Sequence, residues 1–307
     1  MRTDFYYDSC GIGQIHGCCW TPEGEPRAVL QIIHGIAEYV ERYDDFANYL
    51  NSLGYLVVAE DHMGHGKSIG TEGTQGYFNG GWMAAMEDSY RLLTETRQKY
   101  PQLPYVLFGH SMGSFLARTL LEVHPDSGIA AAVICGTGWQ PALLLRSGLL
   151  MCKLICKKDG EKNPSPTLQN LVFGSYNQRV EHPRTPFDWL NRDKRAVDAY
   201  IADPLCGHDA TVGLFYEMLK GIRFNQRFSH LDKMDGKIPI LLISGQDDPV
   251  GGMGSGVRQT YNEFKRSGVT DCTLKLYPGL RHELLNEKAQ RPMIYQDIWN
   301  WMEARLG

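Results

Sequence analysis

Residues 105–123 read YVLFGHSMGSFLARTLLEV. An apolar run, Tyr105 to Phe108, leads straight into Gly109-His110-Ser111-Met112-Gly113 and then into FLARTLLEV, which is helical in character. In a chain with 33 glycines a G-x-S-x-G pattern alone says little. Its place between a strand and a helix says more. A sharp strand-to-helix turn forces the central serine into a strained conformation and exposes its hydroxyl above the sheet. Gly109 and Gly113 leave room for strand and helix to approach, and the helix N-terminus faces developing negative charge. Ser111 is the candidate nucleophile. The competing reading is a glycine-rich turn with an incidental serine.

A serine hydroxyl is a poor nucleophile without a base and an orienting acid. On a turn of this kind the chain order is serine, acid, histidine. Beyond residue 230 there is one histidine, His282, in the loop after the last apolar run. The acid should follow the preceding strand, where Ile240–Ser244 runs into Gly245-Gln246-Asp247-Asp248-Pro249-Val250. Two adjacent carboxylates compete there. An oxyanion also needs two backbone N–H donors. One belongs to the residue after the nucleophile, Met112. The other is expected from Ile36, in the His34-Gly35-Ile36 loop that follows the early strand VLQII.

Moving outward, short apolar runs alternate with longer amphipathic ones. Val29–His34, Leu56–Glu60, Ala130–Cys135, Ile240–Ser244 and Leu274–Tyr277 read as further strands, most of them continuously apolar, as when helices cover both faces of a sheet. Trp82, Met86, Tyr90 and Leu93 form one helical stripe; Val257, Tyr261 and Phe264 a second; Ile294, Ile298, Trp301 and Met302 a third. The expectation is an α/β fold with a mostly parallel sheet, preceded by an antiparallel hairpin in FYYDSCGIGQIHGCCW (5–20). Residues 139–228 break the alternation with helical patterns and Pro/Gly punctuation but no convincing strand. They read as a helical cap inserted into a core of 1–138 and 229–307.

Bulk properties narrow the partners. A net charge of −4 and a pI near 6.2 offer no basic footprint, so nucleic acid is not an expected partner. MRTDFYYDSCGIGQIHG lacks the apolar run of a signal peptide, and no stretch reaches the ~18 apolar residues of a membrane span; the cytoplasm is the expected location. No cofactor or metal is expected. Gly66-Lys67-Ser68 ends like a phosphate-binding loop, but position 61 is Asp61 where that loop needs glycine. Gly11, Gly13 and Gly17 are misspaced for a dinucleotide fingerprint. Cys152 with Cys156 lack a His or acidic partner at ligand spacing, and His62 with His65 would need carboxylates placed around them.

Together, HGIAEYVERY (34–43), AEDHMGHGKS (59–68), GHSMG (109–113), GQDDPV (245–250) and YPGLRHELLNE (277–287) resemble the monoacylglycerol lipase and lysophospholipase branch of the α/β hydrolases. WLNRDKRAVDAYIADPLCG (189–207) is similar to that branch's cap. The resemblance implies an α/β-hydrolase fold, Asp248 as the acid, His282 as the base, and Ile36 and Met112 as oxyanion donors. It also implies an ion pair of Glu38 with Arg42 that holds the oxyanion loop; a solvated helical pair is the other reading. At Ala37 the animal lipases carry glycine, and bacterial relatives look more like this chain.

The expected activity is serine hydrolysis of single-chain acyl esters, monoacylglycerols or lysophospholipids, with transient membrane or micelle contact through the cap. The alternatives are a proline-releasing aminopeptidase, which would need acids in the cap to hold an amine, and a non-catalytic binding protein. The cap's scattered acids are Glu181, Asp188, Asp193, Asp198, Asp203, Asp209 and Glu217. Within Pro141–Cys156 (PALLLRSGLLMCKLIC) only Arg146, Ser147 and Lys153 are strongly polar. Leu145 and Leu149, four apart on one face, are expected to line the entry to Ser111, against the plainer reading that this helix packs on the core.

Overall fold

The apolar runs become the interior strands of one eight-stranded sheet. A computed structural model describes residues 1–70 and 73–307. The strands are β1 (Arg2–Asp8), β2 (Gln14–Trp20), β3 (Ala28–Ile33), β4 (Tyr55–Glu60), β5 (Tyr105–His110), β6 (Ala131–Cys135), β7 (Ile240–Gly245) and β8 (Cys272–Tyr277). Their order is β1-β2-β4-β3-β5-β6-β7-β8. The amino-terminal hairpin pairs antiparallel within itself and with β4; every other pairing is parallel.

The helices are α1 (Asp44–Asn51), α2 (Gly81–Lys99), α3 (Met112–Val123), α4 (Ala142–Asp159), α5 (Pro166–Phe173), α6 (Lys194–Ala202), α7 (Val212–Asn225), α8 (Phe228–Leu231), α9 (Ser255–Arg266) and α10 (Arg291–Leu306). Strand side chains alternate between two cores. Val29, Ile33, Leu107 and Ile134 meet Leu93 of α2, Leu116 of α3 and Phe264 of α9. Leu30, Ile32, Val106 and Phe108 meet Phe46 of α1 and Ile298 of α10 on the opposite face. Both faces are covered, so the central strands read as unbroken apolar runs.

Between β6 and β7 the described chain forms α4 to α8 and no strand. This excursion is not wholly separate from the core. Helix α7 packs on α4 and also on α2 and α3. Its Gly221 sits so close to the Trp82 indole that an added Cβ would lie 2.1 Å from the ring. Asn225, at its end, donates to Phe115 O at 2.7 Å and accepts from Thr119 Oγ1 at 2.8 Å. The carboxyl-terminal part of the 139–228 segment is thereby wedged against α3, the helix that follows Ser111. No helix among the described residues is long and apolar enough to cross a membrane.

Candidate active site

Ser111 stands between β5 and α3 with φ 54° and ψ −122°. Such a conformation costs on the order of 1–3 kcal/mol for a residue with a Cβ and persists only where the surroundings impose it. Here the Ser111 N–H donates to Cys135 O at 3.0 Å. The flanking glycines are required by contact. A Cβ on Gly113 would lie 2.0 Å from Ile33 O, and one on Gly109 would lie 2.5 Å from Gly113 O.

Asp248 lies in the turn after β7 and is buried, whereas Asp247 is exposed. Asp248 Oδ1 accepts from the Val250 N–H at 2.9 Å, and Oδ2 accepts from Ser244 Oγ at 3.1 Å. His282 Nδ1 lies 2.9 Å from the same Oδ2. A carboxylate can only accept, so the ring proton sits on Nδ1 and Nε2 keeps its lone pair. Ser111 and His282 line one cavity of about 550 Å³. The imidazole of His282 is held between Trp189 and His110, whose rings are centred 5.2 and 4.8 Å away.

The loop after β3 is held by a buried polar network. The Gly35 N–H donates to Glu38 Oε1 at 2.7 Å, and Tyr43 OH donates to the same oxygen at 2.9 Å. Arg42 Nη1 bridges Glu38 Oε2 and Glu283 Oε1, both at 2.7 Å. Glu38 and Arg42 are therefore a buried pair, not a solvated one. Burial alone would raise the Glu38 pKa, but the hydrogen bond to His110 and the Arg42 charge hold it well below the usual range. His110 is correspondingly raised: burial opposes its charge, and the bond and charge of Glu38 outweigh that. Ala37 has φ 53°, a left-handed conformation that glycine adopts without strain. Ile36 lines the same cavity as Ser111 and Met112 follows Ser111 in the chain; among the described residues neither N–H has a protein acceptor. The His62 and His65 rings pack tilted against His34, and burial together with the neighbouring imidazoles pushes both well below the usual histidine pKa.

The cavity wall corrects one expectation. It is made by Ile36, Phe173, Phe187, Trp189, Leu190 and Ala210 among others, and not by Leu145 or Leu149. Those two leucines are buried with Cys152 on the face of α4 that meets α7. The exposed face of α4 instead presents Leu143, Leu150 and Leu154, which are 78, 60 and 62 % accessible. Of the seven cap acids, Asp209 alone lines the cavity. Asp198 pairs with Arg184, Glu217 with Lys220, Asp203 accepts from Tyr39, and Asp193 caps α6.

The family described as serine aminopeptidase, S33 matches residues 24–289. The chain belongs to that family. Within it the chain lies on the monoacylglycerol-lipase-like branch of the α/β hydrolases. It is 29 % identical to the monoacylglycerol lipase of Mycolicibacterium smegmatis over 99 % of this chain and 98 % of that enzyme. It is 28 % identical to the monoglyceride lipase of Rattus norvegicus over 94 % of this chain and 86 % of that one. A highly thermostable carboxyl esterase from Bacillus coagulans, solved in complex with glycerol, superposes with a TM-score of 0.93 at 28 % identity, covering 100 % of this chain and 99 % of its own.

Three residues of this S33-family site escape a linear reading. Trp189 and Glu283 reach it only through tertiary packing, across the cap and beside the histidine loop. His110 was in plain view inside the serine motif. As the residue before Ser111 it lies on the last position of β5, where it meets Glu38 and the His282 carbonyl, at 3.1 and 3.3 Å.

Proposed function

We propose that this serine ester hydrolase acts on single-chain acyl esters, monoacylglycerols or lysophospholipids, through an acyl-enzyme. Ser111 attacks the ester carbonyl while His282 Nε2 takes its proton. Asp248 fixes the imidazole tautomer and stabilises the imidazolium. The Ile36 and Met112 N–H groups hold the oxyanion. The alcohol leaves with the proton from His282, and water then repeats the sequence on the acyl-serine.

The observation that carries this reading is the cavity wall. Phe173, Phe187, Trp189 and Leu190 suit an acyl chain, each buried CH₂ contributing about 0.8 kcal/mol. The family's aminopeptidase name makes amine recognition the second reading. A free amine would need unpaired carboxylates, and besides Asp209 the cavity's acids are Glu38 and Glu283, both already held by Arg42 at 2.7 Å. The residues 139–228 act as the cap. Contact with a lipid surface would fall on the outer face of α4, where Leu143, Leu150 and Leu154 run beside exposed Arg146, Lys153 and Lys157. Purified protein assayed on p-nitrophenyl esters of graded length, monoacylglycerol, lysophospholipid and aminoacyl anilides tests the reading. Faster turnover of the anilides than of the long esters would overturn it.

A further inference from the structure

The amino-terminal hairpin carries reactive side chains that ester hydrolysis does not use. The register of β1 on β2 sets Asp4 directly opposite Cys18. The two-residue period of a strand puts His16 on the same face of β2 as Cys18. His16 and Cys18 are fully buried, and Asp4 stands at the rim. His16 Nε2 lies 3.3 Å from Asp4 Oδ2 and 3.9 Å from Cys18 Sγ, and Cys18 Sγ lies 3.5 Å from Asp4 Oδ1. Among the described residues this is the one trio of potential metal ligands whose donor atoms all lie within 4.8 Å of one another.

The other face of the imidazole is already committed. His16 Nδ1 donates to Asp61 Oδ2 at 2.7 Å, and Asp61 is itself fixed by the Val40 and Lys67 N–H groups, both at 2.9 Å. With the proton on Nδ1, the Nε2 lone pair points at a carboxylate. A metal ion seated between them would satisfy both. The sulfur, converging on the same point as a third donor, favours the metal.

We propose that Asp4, His16 and Cys18 bind a zinc-type divalent ion, with Asp61 as the outer carboxylate that orients the imidazole. Zinc bonds of about 2.0–2.3 Å to N, O and S in tetrahedral array place the donors about 3.3–3.6 Å apart, close to the three separations here. An outer carboxylate on the remaining ring nitrogen is the usual support for a metal-bound histidine. The thiol gives its proton to solvent as the S–metal bond forms. One thiolate and one carboxylate then neutralise the dication, taking the largely buried site from −1 to zero. Lys67 and Arg2 now contact Asp4, at 2.9 and 3.7 Å. Each has a second carboxylate in reach, Glu41 at 2.8 Å from Lys67 and Asp44 at 3.0 Å from Arg2, so Asp4 can turn to the metal without leaving either cation unpaired. The ion would pin β1 to the rest of the sheet.

The test uses the full chain stripped with a chelator and titrated with Co²⁺. The expected result is one equivalent bound with a thiolate-to-cobalt charge-transfer band, one proton released, displacement by Zn²⁺, and a rise in Tm with Zn²⁺. Cys18→Ser should abolish the band. Asp4→Asn, at an exposed position that leaves the buried pair intact, should weaken binding more than about tenfold. Ester hydrolysis by the stripped protein should be unchanged, which separates this site from the catalytic reading. A titration without the band, or a band of equal affinity in Cys18→Ser or Asp4→Asn, overturns the proposal.

Discussion

Asp248 Oδ2 lies 2.9 Å from His282 Nδ1, while Asp247, one residue away, turns its carboxylate to solvent. The adjacent side chains thus have different surroundings, and only Asp248 can hold the imidazole in the tautomer that leaves Nε2 free. Asp248→Asn should lower kcat by about 10³–10⁴, since it removes both the charge and the tautomer control. Asp247→Asn should cost less than about tenfold. Steady-state kinetics on one short ester decide it, and the reverse ranking would assign the acid to Asp247.

Covalent labelling examines the nucleophile. A fluorophosphonate should add once to the protein, at Ser111, and intact-mass analysis of Ser111→Ala should show no adduct. Ser111→Ala should lower kcat by about 10⁵–10⁶, with His282→Ala nearly as severe and the double variant little worse, because the residues act as a unit. Normal labelling of Ser111→Ala would remove the serine from the mechanism.

Much of this architecture is legible in the chain because local chemistry decides it. The strand–turn–helix context of GHSMG requires tight glycines whatever surrounds it, and the parallel strands announce themselves by being apolar on both faces. What stays hidden depends on a partner far along the chain. A helical wheel groups Leu145 with Leu149, but which face of α4 meets a neighbour is decided by α7, which begins more than fifty residues beyond its end. Asp4, His16 and Cys18 converge through the register of two strands joined by a loop, and no ligand-spacing rule describes that.

Glu122 gives the fold a pH dependence. It is buried on α3, and among the described residues neither carboxylate oxygen has a hydrogen-bond partner. Burial raises its pKa from 4.5 to about 8, with the Arg118 charge opposing. A carboxyl whose folded pKa is raised contributes its full stability below the unfolded value and loses it as pH climbs through the folded one. The loss runs at about 1.4 kcal/mol per pH unit between those limits. Glu122→Gln has no proton to lose. Its Tm relative to the parent should therefore rise between pH 5 and pH 8 and level off above that. A difference that stays constant with pH would mean that Glu122 is ionised in the fold throughout.

The proposed lipid contact can be tested on the outer face of α4. Replacing Leu143, Leu150 and Leu154 by Ser should leave the Tm and short-ester kinetics near the parent values, since these side chains are mostly in water. Co-sedimentation with vesicles should fall sharply. With the leucines intact, binding should be stronger to anionic than to neutral vesicles and weaken with salt, because Arg146, Lys153 and Lys157 flank the stripe. Equal sedimentation of parent and variant would show that α4 does not touch the lipid.

Acyl-chain length reports which side chains the substrate meets. If the chain lies against Phe173 in the cavity wall, each added CH₂ should raise kcat/KM by up to about fourfold, the equivalent of about 0.8 kcal/mol, until the space is filled. Phe173→Ala should flatten that climb for long esters and leave acetate and butyrate esters nearly untouched. Leu145→Ser with Leu149→Ser should behave differently. Both leucines pack between α4 and α7, so the double variant should lose several kcal/mol of stability and depress activity at every length together. The contrast between a length-selective loss at Phe173 and a uniform loss at Leu145 and Leu149 separates substrate contact from packing. A flattened profile in the leucine variant with an unchanged Tm would return the acyl chain to α4.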